Sequence, residues 1–211
     1  MKYKFIYFDV AGTLLYKRNL FNKITAVLSR QGINIDKRDL VIRHKLLTEV
    51  VKFPKKTDKQ FYDFFNSELL YSLGIVPSEE LTNSIYNNCK NLRWNKFEDV
   101  DVLKKINVPI GIISNWDNTL TVKVKENVNF DFKYIYCSED DEAKPDISFF
   151  RKAFDATGVA YQNIAYVGDS IKLDIEPAKR LGAESILLDR EVVYKNYNSV
   201  KIRSLRELLD L

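Results

Sequence analysis

The stretch KFIYFDVAGTLL, residues 4–15, decides how the rest of the chain is read. Its first half, KFIYFD over 4–9, is rich in aromatic and β-branched types and stops at the small pair Ala11-Gly12, the pattern of a strand ending in a tight turn. The run is apolar on both faces, which places the strand in the middle of a parallel sheet. Asp9 stands at its carboxyl end, and that edge of an open parallel sheet is where ligands bind.

Four more short apolar runs share this form: PIGIIS at 109–114, YIYCS at 134–138, IAYVGD at 164–169 and SILLD at 185–189. Helical patterns fall around them at 99–106, 118–127, 146–157 and 173–181, and Ser204 with Glu207 caps a last helix. Strands alternating with helices predict an α/β fold, a central parallel sheet flanked by helices on both faces. Residues 19–93 read differently. One helix fits 19–31 and is closed by Gly32, and a second fits 37–51 after Asp36. A third begins at Thr57 with Gln60 completing a capping box, and a fourth follows Pro77-Ser78. The expected organisation is a core of residues 1–15 and 95–211 with an inserted all-α, four-helix domain of residues 16–94.

Composition narrows the chemistry. The 211 residues carry 33 basic and 29 acidic side chains, a net charge of +4, too mild and scattered for a nucleic-acid or membrane partner. One histidine (His44) and two cysteines (Cys89, Cys137) exclude His-rich metal sites, Cys-rich zinc sites and a disulfide framework. Cys89 reads as a helix residue and Cys137 as a buried strand residue. No apolar run approaches the ~20 residues of a membrane span, and with no export signal a cytoplasmic location is expected. Catalysis is therefore expected from carboxylates and lysines. His44, between Arg43 and Lys45, reads as a surface histidine.

Taken in order, the strand ends collect Asp9 and Thr13, then Ser114-Asn115, then Lys144-Pro145 in a following loop, then Asp169-Ser170 with Asp174. FDVAGTLL, IISNWD, AKPD and VGDSIKLD, in that order, resemble the four motifs of the haloacid dehalogenase-like (HAD) hydrolase superfamily, across the whole core. The resemblance implies a Rossmann-like HAD core with a helical cap inserted after the first motif. It implies a phosphatase-type reaction on a small phosphorylated molecule, through an aspartyl-phosphate on Asp9. Thr13 and Ser114 would hydrogen-bond the oxygens of the transferring group, Asn115 would lie beside the substrate, and Lys144 would neutralise charge on nucleophile and phosphate. Mg²⁺ would be held by Asp9, the backbone carbonyl of Ala11 and Asp169, with Asp174 fixing the loop or a metal water from behind.

One position departs from the pattern. Most phosphatases of this superfamily carry a second aspartate where this chain has Ala11. That group protonates the leaving oxygen and then activates water, a function worth roughly 10²–10⁴-fold. Slow turnover of alkyl phosphates is the expected consequence. Two other readings stay open. Carbon-centred hydrolysis of a 2-haloacid needs no such acid, and phosphonoacetaldehyde hydrolases share the Asp-x-Ala-Gly-Thr form but require a Schiff-base lysine, for which KFPKKTDK offers Lys52, Lys55 and Lys56. The third reading is a catalytically weak module binding a phospho-ligand or a protein. Trp116 and Asp117 are expected at the pocket mouth, Glu139, Asp140, Asp141 and Glu142 in a solvated loop, and Phe53, Phe61, Tyr62, Phe64 and Phe65 in the core of the helical insert.

Overall fold

The computed structural model describes residues 2–54, 57–138 and 143–211, so Lys55, Lys56 and the Glu139–Glu142 run lie outside the described residues. The chain forms two compact units, one of residues 1–16 and 94–211 and one of residues 17–93.

In the first unit, β1 (Phe5–Phe8) is buried along its whole length. It lies inside a six-stranded sheet of order β5-β4-β1-β6-β7-β8, with β4 (Ile110–Ser114), β5 (Tyr134–Cys137), β6 (Ile164–Gly168), β7 (Glu184–Leu188) and β8 (Lys201–Ile202). All pairings in this sheet with a described register are parallel; Ile6 lies opposite Ile110 on one side and Ala165 on the other. Side chains of a strand alternate between faces. Ile6 and Phe8 therefore join Ile112, Val167 and Ile186 in one core, against α5 (Leu120–Val128). Phe5 and Tyr7 join Ile113 and Tyr166 in the other, against α6 (Ile147–Asp155). Gly111 answers to Tyr7: a Cβ there would sit 2.4 Å from the tyrosine ring. The Tyr7 hydroxyl, buried with that ring, donates to the Ala153 carbonyl at 2.6 Å, so the face carries no unpaired donor there.

Several elements differ from the sequence reading. The stretch expected at 99–106 is a 3₁₀ helix, Glu98–Lys105, and the last helix is also 3₁₀, Leu205–Asp210, with the Ser204–Glu207 capping box in place. The helix expected at 173–181 is a π-turn, Ile171–Ile175, running into α7 (Glu176–Arg180). Pro177 has no N–H to give the turn behind it, and the Glu176 N–H reaches back to the Ile171 carbonyl instead. Two three-residue strands, β2 (Leu15–Lys17) and β3 (Trp94–Lys96), pair with each other. They and β8 are too short to leave a period in the sequence. Cys137 is half-buried rather than buried, because β5 is an edge strand.

Among the described residues the second unit has four helices, α1 (Leu20–Arg30), α2 (Lys37–Val50), α3 (Lys59–Ser72) and α4 (Glu79–Cys89). The Asp36 carboxylate accepts from the Arg38 and Asp39 N–H groups, and Ser78 accepts from Leu81. Asp58, not Thr57, caps α3 by accepting from the Phe61 N–H at 2.8 Å, which moves Gln60 off the third helical position and removes the expected capping box. Leu28, Leu40, Phe65, Leu69, Leu70 and Ile85 form the core, with Phe53 and Phe61 beside Phe65 while Phe64 is exposed. No helix of the described residues is long and apolar enough to cross a membrane.

His44 is not a surface residue. Its ring meets Phe21 and Phe65 edge-on, with centroids 5.3 and 5.2 Å away. It continues the Leu40–Leu47 stripe of α2, a helical spacing that outweighs its charged neighbours. Burial, with the nearby charges of Lys45 and Lys17, lowers its pKa from 6.5 to about 4. The folded state thus refuses a proton that the unfolded chain accepts. Stability is unaffected above about pH 6.5 and is lost as pH falls from there toward 4. Unfolding midpoints across that window are expected to fall less in His44→Gln than in the parent; identical pH profiles would contradict the burial argument.

Candidate active site

Four strand ends bring the site together. β1 delivers Asp9, whose N–H is fixed to the Val167 carbonyl at 2.9 Å. The chain then folds back, with the N–H groups of Thr13, Leu14 and Leu15 all converging on the Val10 carbonyl. This turn needs Gly12, at φ +89°: a Cβ there would lie 2.1 Å from an Asp169 carboxylate oxygen. Gly168 is demanded in the same way, since its Cβ would meet Asp174 Cγ at 2.4 Å. Both motif glycines thus clear space for a carboxylate.

Lys144 is the hub. Its Nζ donates to Asp9 Oδ1 and to Asp174 Oδ1, each at 2.6 Å, and all three side chains are buried. Burial disfavours the ammonium, but the carboxylates of Asp174 and Asp9 outweigh it and hold the lysine protonated. Burial pushes the Asp174 carboxyl up to about 7; Lys144 opposes this, while the charges of Asp9 and Asp169 add to it. Asp174 Oδ2 accepts from the Ser170 N–H at 3.0 Å, so both its oxygens are engaged. Ser114 Oγ donates to Asp9 Oδ1 at 3.2 Å.

Two polar atoms of the first motif are buried with no hydrogen-bond partner among the described residues, Asp9 Oδ2 and Thr13 Oγ1. Oxygens of Asp9, Asp169 and Asp174 lie within 4.8 Å of one another. Three carboxylates so close, one with a free oxygen, are a hard-oxygen donor set that fits a small divalent cation.

Other expected residues take different parts. The side-chain amide of Asn115, expected at the substrate, is engaged with the Lys144 backbone on both sides: its Nδ2 donates to the carbonyl at 2.9 Å and its Oδ1 accepts from the N–H at 2.7 Å. It positions the lysine. Asp117 accepts from the Thr119 N–H and hydroxyl, and the Trp116 ring packs against Trp94 at a tilt, with centroids 4.7 Å apart, so both shape the start of α5. Tyr166 was not expected. Its hydroxyl lies 3.0 Å from the Ile113 carbonyl and 3.0 Å from Asp174 Oδ1, and 3.5 Å from Lys144 Nζ. Burial raises its pKa, helped by Asp174 and Asp9, so it stays a donor. The signal was available: a tyrosine inside IAYVG, an otherwise apolar buried strand, needs a partner for its hydroxyl.

A family model described as haloacid dehalogenase-like hydrolase matches residues 3–182. The haloacid dehalogenase-like hydrolase domain-containing protein 3 of Danio rerio is 28% identical over 139 residues, covering 63% of this chain and 57% of that protein, so the match spans little more than half of the relative. The glyceraldehyde 3-phosphate phosphatase of Methanocaldococcus jannaschii is 26% identical over 229 aligned positions, covering 99% of this chain and 96% of that protein. Among solved structures, the magnesium-bound HAD-hydrolase YfnB of Bacillus subtilis aligns with a TM-score of 0.66 at 19% identity, over 100% of this chain and 98% of that one, a likeness of fold.

Proposed function

Because the chain belongs to the haloacid dehalogenase-like hydrolases, we propose that it is a Mg²⁺-dependent phosphatase with Asp9 as nucleophile, acting on a small phosphorylated molecule. One observation carries the reading. Asp9 is held by one oxygen, through Lys144 and Ser114, while its other oxygen is buried and free. A carboxylate oriented in that way is set to attack rather than to pair.

In this reading Asp9 Oδ2 attacks phosphorus and the bond to the leaving oxygen breaks, releasing that group as its oxyanion; water then attacks the phosphorus of the aspartyl-phosphate, the phosphorus–Asp9 oxygen bond breaks, and the carboxylate is restored as phosphate departs with the protons of the water. Lys144 keeps a fixed positive charge beside the nucleophile throughout. The Thr13 hydroxyl, otherwise unpartnered, and Ser114 donate to the transferring oxygens. Asp9, Asp169 and the Ala11 carbonyl would hold Mg²⁺, with Asp174 behind them because its oxygens already serve Lys144 and Ser170. Bound there, the ion neutralises and orients the phosphoryl oxygens. The helical unit of residues 17–93 takes the part of the family's cap, and substrate choice rests with it. The relative from Methanocaldococcus jannaschii, aligned over 99% of the chain, supports a small phosphorylated substrate.

Ala11 offers no proton to the leaving oxygen, so good leaving groups are favoured. Phosphate release with and without Mg²⁺ over acyl, aryl and alkyl phosphates tests this. Acyl and aryl esters are expected to turn over fastest and only with Mg²⁺, and Ala11→Asp is expected to raise the alkyl rate by up to about 10²-fold. Including 2-haloacids and phosphonoacetaldehyde separates the carbon-centred readings: release from those alone would replace the phosphatase. Lys52 is exposed and lacks the desolvated setting that activates a Schiff-base lysine. Silence on every compound would make the chain a binding module.

A further inference from the structure

The loop after β7 lies outside all four strand-end motifs, yet it is bonded to both sides of the site. Arg190 makes a two-pronged pair with Asp99, at 2.7 and 2.9 Å, and stacks its guanidinium 3.9 Å over the Phe97 ring. Asp99 is itself held by the Ser204 hydroxyl and the Leu205 N–H. The fork so fixed donates to the Thr13 carbonyl at 2.9 Å. Four residues on, the Tyr194 hydroxyl donates to the Asp169 carbonyl at 3.2 Å.

The loop between these contacts is rigid for visible reasons. The Asp189 carboxylate accepts from the N–H groups of Val193 and Tyr194, at 2.7 and 3.0 Å. Lys201 Nζ donates to the Tyr194 carbonyl at 2.7 Å. Val192 sits at φ +55°, a conformation a β-branched residue adopts only when its surroundings impose it. One stiff segment therefore grips, by their backbone carbonyls, the turn after Asp9 and the residue Asp169 itself.

We infer that the Asp189–Tyr194 loop is a brace, and that Arg190 and Tyr194 are positioning residues that set the spacing of Asp9 and Asp169 and so the affinity of the site for its divalent cation. The inference rests on the metal site proposed above. Neither residue touches the substrate or the ion; each acts through a carbonyl.

The test is Mg²⁺ titration by calorimetry, without substrate, on the parent protein, Tyr194→Phe, Arg190→Gln, Arg190→Lys and Asp169→Asn. Tyr194→Phe loses only one hydroxyl and is expected to keep its melting temperature while weakening Mg²⁺ binding about threefold to tenfold, the span of one hydrogen bond. Arg190→Gln is expected to weaken it at least as much, and Arg190→Lys, which keeps one donor, to fall between. Unchanged Mg²⁺ affinity in Tyr194→Phe and Arg190→Gln, with only the melting temperature lowered, would make the loop a structural prop and overturn the brace. A parent protein that binds Mg²⁺ no better than Asp169→Asn would overturn the metal site itself, and the brace with it.

Discussion

Asp9→Asn is expected to yield a folded protein that no longer releases phosphate, with turnover down about 10³-fold or more. The amide matches the carboxylate in shape and can still accept from Ser114 and Lys144 through its oxygen. Its nitrogen takes the place of the free Oδ2, and an amide nitrogen does not attack phosphorus. Lys144 keeps Asp174 as an ionic partner, so no unpaired buried charge results and the fold is expected to hold. The measurement is phosphate release beside a circular-dichroism spectrum and a melting curve. A native spectrum with more than a tenth of the parent activity would remove Asp9 from the reaction.

Lys144→Met is expected to damage both stability and activity. It leaves the carboxylates of Asp9 and Asp174 facing the place where the shared ammonium stood, all within a buried site. Breaking one partner out of a buried ionic cluster costs about 3–5 kcal/mol. The pH dependence gives the loss a signature. Burial already raises the folded-state pKa of Asp174 to about 7, and without the lysine it rises further. A carboxyl whose folded pKa lies above its unfolded value stabilises the fold below that pKa and loses this as pH rises through it. The stability gap between parent and variant should therefore narrow as pH is lowered from 8 to 5.5. Urea unfolding at several pH values checks this, and a gap below about 1 kcal/mol at pH 8 would deny Lys144 its place as hub.

What was legible in the sequence follows from how local each feature is. The five longer core strands and the caps at Asp36, Ser78 and Ser204 could be read because short runs or neighbouring residues encode them. The residues that the strand ends bring together could be listed, and Asp9, Ser114, Lys144 and Asp174 do meet. Their partners at long range could not. The Arg190–Thr13 bond spans 177 residues, and the Tyr194–Asp169 bond leaves no trace in either stretch. The π-turn at Ile171–Ile175 does not stand apart from the helix expected at 173–181, because a single widened turn leaves no period of its own in the sequence. His44 reads as a surface residue from Arg43 and Lys45 beside it, whereas its place on the Leu40–Leu47 stripe of α2 carries the ring against Phe65.

The central place of β1 also has a consequence for biogenesis. Its neighbours in the sheet begin at Ile110 and Ile164, whereas β1 ends at Phe8. During synthesis the first strand therefore leaves the ribosome about a hundred residues ahead of β4 and about 155 ahead of β6, delays of about 5–20 s and about 8–30 s at typical elongation rates. Until then FIYF is an apolar segment with no sheet to join. The helices of residues 17–93, whose contacts are local, can close on themselves in the meantime. The order of translation thus favours the inserted unit first, and leaves the nucleophile-bearing strand as the segment most in need of protection in the nascent chain.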